Sequence, residues 1–152
     1  MKTLLFAICL FFAVSLNGQN NVNNLTQWNI DTFANQILRE LNIDSCFVVI
    51  QPTRGLIYDK YDAITKTFGG CYTVLMSNYM NYDQTLITLA HELVHVKQMK
   101  SGILKVLSNG EVEFKGLKYK TNESTHYTDP QEVEARNLGM VLYEKFKPIR
   151  LN

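Results

Sequence analysis

His91, Glu92 and His95 stand in the order His-Glu-Leu-Val-His, in a chain with only three histidines among 152 residues. Imidazoles four residues apart lie on the same face of an α-helix, one turn apart, where both can grip one metal ion. The glutamate beside the first imidazole is not needed as a ligand. It is placed to take a proton from a water molecule that the metal activates. With three histidines and eight glutamates, the pattern arises by chance on the order of a few times per thousand such chains. A metal site is therefore the better reading than two surface histidines on an ordinary helix.

A catalytic site of this kind usually takes three protein ligands and keeps a fourth position open. Glu132, Glu134 and His126 are the candidates for the third. Glu132 and Glu134 are two apart on a helix, so they point to different sides and do not bind one ion together. Glu132 also lies where its side chain can cap the helix by reaching back toward Asp129. Glu134 can instead be a solvated surface charge, or a carboxylate that orients a histidine ligand. His126 as third ligand would make an all-histidine site. Hydrolysis of an acyl group also needs a donor for the developing oxyanion besides the metal. Tyr127 and His126 are the candidates, although with eight tyrosines in the chain packing is the commoner use of a tyrosine.

These residues need a scaffold. From Leu25 to Leu41 the apolar positions Trp28, Phe33, Ile37, Leu38 and Leu41 recur at helical spacing. Cys46 to Ile50 is a short β-branched apolar run stopped by Pro52, and reads as a buried strand. Residues 56–68 read as an extended segment broken by turns, and Gly69-Gly70 leads into a second strand-like run, Cys71–Met76. After Asn81, Asp83 can cap a helix whose stripe is Leu86, Leu89, Ala90, Leu93 and Val94, stopped at Gly102. His91 and His95 lie beside that stripe, at the edge of a cleft. Asn109-Gly110 between Ile103–Leu107 and Glu111–Phe114 predicts a type I′ hairpin. Asp129-Pro130 supplies an N-cap and a first-turn proline for a last helix reaching about Phe146. The order predicts an α+β fold, a small sheet packed on the motif helix and a later ligand-bearing helix.

The N-terminus has a different character. Lys2 is followed by nearly unbroken apolar sequence from Leu4 to Leu16 and then by Asn17-Gly18-Gln19-Asn20, the pattern of a secretory signal peptide cut after Gly18. Residues 1–18 are thus expected to be removed, leaving 19–152 as one domain without a stable membrane anchor, secreted or periplasmic. Removal of Lys2 takes the formal charge from +1 to 0, and the basic residues are dispersed, which argues against nucleic acid or an anionic membrane as partner. Cys46 and Cys71 remain as a possible disulfide or as two thiols in neighbouring strands.

Leu89-Ala90-His91-Glu92-Leu93-Val94-His95-Val96-Lys97-Gln98, with Pro130-Gln131-Glu132-Val133-Glu134-Ala135-Arg136 downstream, resembles the zincin metallopeptidases over roughly residues 71–140. It is similar in particular to the gluzincin branch and to small single-domain bacterial and phage zincin-like proteins. The resemblance implies a zinc ion held by His91, His95 and Glu132, with Glu92 as general base. It also implies that the Cys71–Met76 strand forms a cleft rim along which a peptide or protein substrate pairs. Position 136 carries arginine where many relatives place aspartate. The expected function is that of a secreted zinc metallopeptidase; the alternative is a zincin-fold binding protein without peptidase activity.

Overall fold

The computed structural model describes residues 27–44, 46–51, 63–68, 71–77, 80–122 and 124–148. The expected signal segment and its cleavage point lie outside the described residues. Among the described residues the fold is α+β, with three helices and two small sheets.

Helix α1 (Gln27–Glu40) is amphipathic as its periodicity predicts, with Ile30, Phe33, Ala34, Ile37 and Leu38 buried. Asn42 ends it in the left-handed region, φ 55°, a conformation that asparagine tolerates better than most residues. The first sheet follows as β1 (Phe47–Gln51), β2 (Ala63–Phe68) and β3 (Cys71–Ser77), in spatial order β1-β3-β2. Strand β3 is parallel to β1 and antiparallel to β2, so the sheet is mixed and β3 is its centre. Cys46 and Cys71 stand as thiols, not a disulfide. Burial pushes the Cys46 thiol up to about 11.

Helix α2 (Tyr82–Lys100) carries the His-Glu-Leu-Val-His motif. Its N-cap is Asn81, not Asp83 as the sequence predicts. Asn81 Oδ1 accepts from the Gln84 amide at 3.0 Å while Gln84 Oε1 accepts from the Asn81 amide at 3.1 Å. This reciprocal pair satisfies two helix-end donors at once, which a lone cap at Asp83 would not. Asp83 instead accepts a hydrogen bond from the Tyr143 hydroxyl at 3.0 Å. At the other end Gly102, φ +73°, donates to the Met99 carbonyl at 3.0 Å and stops the helix where expected. The predicted stripe Leu86, Leu89, Ala90, Leu93 and Val94 is fully buried, and Val96 is buried with it. The first sheet, α1 and the last helix all pack on α2, which is the spine of the main core.

The second sheet is β4 (Leu104–Val106), β5 (Glu111–Phe114) and β6 (Leu117–Lys120), antiparallel throughout. Asn109-Gly110 is not a two-residue hairpin turn. It closes a 3-10 turn over Ser108–Gly110 inside a longer connection in which the Leu107 amide donates to the Glu111 carbonyl. The tight turn is Lys115-Gly116, between the paired residues Phe114 and Leu117, with φ of 51° and 84°. Two successive positive φ values are the signature of a type I′ turn.

Helix α3 (Pro130–Phe146) starts at Asp129-Pro130 as predicted, although the Asp129 side chain makes no capping hydrogen bond. Gln131, Glu132, Ala135, Gly139, Leu142 and Tyr143 form its buried face. At Gly139 the helix comes so close to α2 that a Cβ atom would sit 2.9 Å from the His91 Cα. Neither backbone can yield cheaply at that distance. Gly139→Ala is therefore expected to destabilise the fold by about 1–3 kcal/mol, the usual penalty for overpacking, read as a lower denaturant midpoint in urea unfolding.

Candidate metal centre

All three histidines of the chain line one cleft of about 870 Å³, together with Glu92 and Glu132. Its floor is the side of α2 that carries the motif. One wall is β2 with Tyr72 of β3, and the other is β4 with Val112 of β5. The expectation that β3 forms the rim is corrected here. Strand β3 is paired on both sides and has no free edge to offer, whereas β2 is the outer strand.

The two ring nitrogens and one carboxylate oxygen converge. His91 Nε2 and His95 Nε2 are 3.0 Å apart. Glu132 Oε2 lies 3.2 Å from His91 Nε2 and 3.3 Å from His95 Nε2. Three donors bonded to one small divalent ion at about 2.0–2.1 Å must stand roughly 3–3.4 Å apart. The observed separations satisfy that condition, so the residues fit a metal ion. His91, His95 and Glu132 could thus hold one.

Each donor is aimed by its helix. His91 and His95 share a face of α2, and Glu132 is brought across by the close passage of α3. Glu132 turns toward the histidines and does not cap its own helix. Glu134 points elsewhere, bonded to the Lys115 ammonium and accepting from Gln98 Nε2 at 3.4 Å. His126 sits at the cleft mouth with Nε2 3.7 Å from Glu132 Oε2. Tyr127, expected as a donor, is not among the cleft residues. Its side chain is 74 % exposed, and the Arg136 guanidinium lies 5.5 Å over its ring. Arg136 also donates to the Tyr127 carbonyl at 2.5 Å, so this arginine braces the 124–128 turn that carries His126.

Gln98 and Thr65 were not singled out in the sequence. Gln98 is fully buried and its amide orientation can be deduced. Its Nε2 faces the Gln131 carbonyl at 3.1 Å, and a carbonyl only accepts. Gln98 Oε1 therefore faces His95 Nδ1, at 2.8 Å, and that nitrogen must carry the proton. The tautomer leaves the His95 Nε2 lone pair for a metal. The only sequence signal was a glutamine one turn beyond His95. On the opposite side, the Thr65 hydroxyl of β2 donates to Glu92 Oε2 at 2.6 Å.

The electrostatics favour a cation. For Glu132 burial works against ionisation, but hydrogen bonds from His91 and His95 and the His95 charge outweigh it, holding the carboxyl well below the usual carboxylate range. Burial likewise opposes charge on His95, yet the Glu132 hydrogen bond and the Glu92 and Glu132 carboxylates raise it above the ordinary imidazole value of 6.5. Comparison with protein-family models, with curated proteins and with solved structures finds no match, so the site is read from its own geometry.

Two outcomes follow. A raised His95 pKa means that the proton competes with a metal for Nε2 at higher pH than in a free imidazole. Metal affinity should therefore begin to fall at higher pH than for a free imidazole as pH drops, with proton release on binding, as calorimetry in buffers of different ionisation enthalpy will detect. Gln98→Leu, which strands the His95 Nδ1 proton, should weaken metal affinity about 10–100-fold in competition with a chromophoric chelator.

Proposed function

We propose that the protein is a zinc-dependent metallopeptidase that hydrolyses peptide bonds in an extended chain lying in the cleft. The observation that carries this reading is the coexistence of a three-donor set with a buried glutamate beside it that is not a member of the set. A structural metal site would be closed by a fourth protein ligand and has no use for Glu92. Zinc is the reading for the ion because two imidazoles and one carboxylate suit it, where calcium or magnesium would take oxygen donors.

When bound, Zn²⁺ supplies Lewis acidity, making water acidic enough to attack near neutral pH and polarising the scissile carbonyl. His91, His95 and Glu132 would hold it. Glu92 accepts the proton of the attacking water and passes it to the amide nitrogen as the C–N bond breaks. His126, at the cleft mouth, is placed to donate to the oxyanion, a role for which Tyr127 is turned away. The outer edge of β2 offers backbone groups with which an extended peptide can pair. The apolar leader before residue 19 supports a secreted or periplasmic setting. Likeness to the zincins rests on the His-Glu-Leu-Val-His motif and the position of Glu132.

The test is digestion of a diverse peptide library by the zinc-loaded protein, read by mass spectrometry, with Glu92→Gln alongside. The wild type should cleave, and the variant should bind zinc equally while losing about 10²–10⁴-fold in turnover. Cleavage retained by Glu92→Gln would remove Glu92 from its role. A zinc-bound wild type that cleaves nothing would favour a binding protein built on the same scaffold.

A further inference from the structure

Strand β2 both borders the cleft and touches the proposed base. Among the described residues it pairs only with β3, and residues 63–67 all line the cleft. Alternation along the strand places Thr65 on the same face as Ala63, which packs against the main core. A β-branched residue suits that position, but a hydroxyl facing a core is unfavourable unless it is hydrogen-bonded. Valine would pack there without that cost. The hydroxyl is used: Thr65 Oγ1 lies 2.6 Å from Glu92 Oε2 and 3.2 Å from the Glu92 carbonyl oxygen. It has one proton to give, and the shorter contact falls in the range of charge-assisted O–H···O⁻ bonds. Oε2 is thereby engaged, and Oε1 is the carboxylate oxygen left for other partners.

We propose that Thr65 is a positioning residue for the hydrolytic reaction, its hydroxyl fixing the Glu92 carboxylate so that one oxygen is reserved for the attacking water. The role rests on the peptidase reading for its consequence, though not for the hydrogen bond itself. It also explains why the base is tied to the cleft's outer strand and not to a neighbour on its own helix. Substrate pairing along β2 and the aim of Glu92 then share one element. A chain docked on that strand meets a base whose carboxylate is hydrogen-bonded to the same strand. Misplacement of a reacting group by about 1 Å can cost 10²-fold in rate, so the arrangement has a kinetic consequence.

The experiment compares Thr65→Val, nearly isosteric without the hydroxyl, with Thr65→Ser, which restores it. With wild-type zinc affinity and an unchanged KM, Thr65→Val should lose about 10- to 100-fold in kcat, and Thr65→Ser should recover most of it. A purely structural role would lower stability or zinc affinity and would not move kcat alone. A second readout needs neither metal nor activity. In infrared spectra of metal-free protein with isotope-labelled glutamate, the band lost in Glu92→Gln identifies the Glu92 carboxylate. That band should shift in Thr65→Val and stay in place in Thr65→Ser. An unshifted band in Thr65→Val, or a kcat within about two-fold of wild type, would overturn the proposal. If the wild type cleaves no peptide, the peptidase reading fails and the catalytic role falls with it, while the infrared band still decides whether Thr65 holds Glu92.

Discussion

The close crossing of α3 over α2 is the constraint on which the site depends. Glu132 has a short side chain, and it can meet two imidazole nitrogens on another helix only if the helix backbones nearly touch. Gly139 supplies that approach against the backbone of His91, and fully buried Ala135 lies between Gly139 and Glu132 on the same face. Glu132 is seven residues before Gly139, about two turns and therefore on the same side of α3. A helix is stiff over such a length, so fixing the contact at Gly139 fixes the height and angle at which Glu132 arrives. The contact is with His91, which carries the first of the three converging donors. The distance between donors is thus set by backbone packing and not left to side-chain flexibility.

Burial creates the second problem, because α2 is the core helix and also carries Glu92, His95 and Gln98, all buried. Polar groups in a core are tolerated only when hydrogen-bonded. Glu92 and Gln98 take partners from other elements, Thr65 of β2 for Glu92 and Gln131 and Glu134 of α3 for Gln98, and His95 is bonded by Gln98 of its own helix. Glu134 in turn is held by Lys115 at the tip of the β5–β6 turn. The network runs from the surface of the second sheet to His95 Nδ1, the ring nitrogen that does not face Glu132. Two carboxylates close to His95 make the floor electronegative, and the raised His95 pKa expresses that field as affinity for a proton. A divalent cation would satisfy the same field with more charge.

The sequence disclosed what depends on local periodicity and local stops. The motif helix, its apolar stripe, its end at Gly102 and the start of α3 at Asp129-Pro130 all follow from short-range chemistry. Glu132 was legible only with a resemblance added, because nothing within one helix says which of two nearby glutamates faces another helix. The remainder was hidden for the same reason. Asn81 wins the cap over Asp83 through a partner at Gln84. The hairpin turn falls on Lys115-Gly116, where lysine at φ 51° is an unusual occupant, while the stronger local signal at Asn109-Gly110 serves a wider connection. The Leu117–Lys120 strand has lysine at alternate positions and little apolar content, so it gave no strand signal. Thr65 and Gln98 are ordinary residues until the fold brings a carboxylate and an imidazole to them.

The cleft divides its tasks between two unlike parts. The floor and the β2 wall belong to the main core, where Leu89, Leu93 and Val94 are fully buried. The facing wall of β4 and β5 rests on a small separate cluster, Leu104, Val112 and Phe114, with Met99, Ile103 and Tyr119 against it. Less buried apolar surface means a lower free energy for local opening. The three converging donors and Glu92 are fixed by the larger core, while the facing wall of β4 and β5 is the weaker unit. Polar ties cross from the second sheet to α3 at the Tyr119 hydroxyl, bonded to Gln131 beside Glu132, and at the Lys115 ammonium, bonded to Glu134. Both ties land on α3 residues that bond Gln98, the partner of His95 Nδ1, so the second sheet is joined to the site through that buried amide.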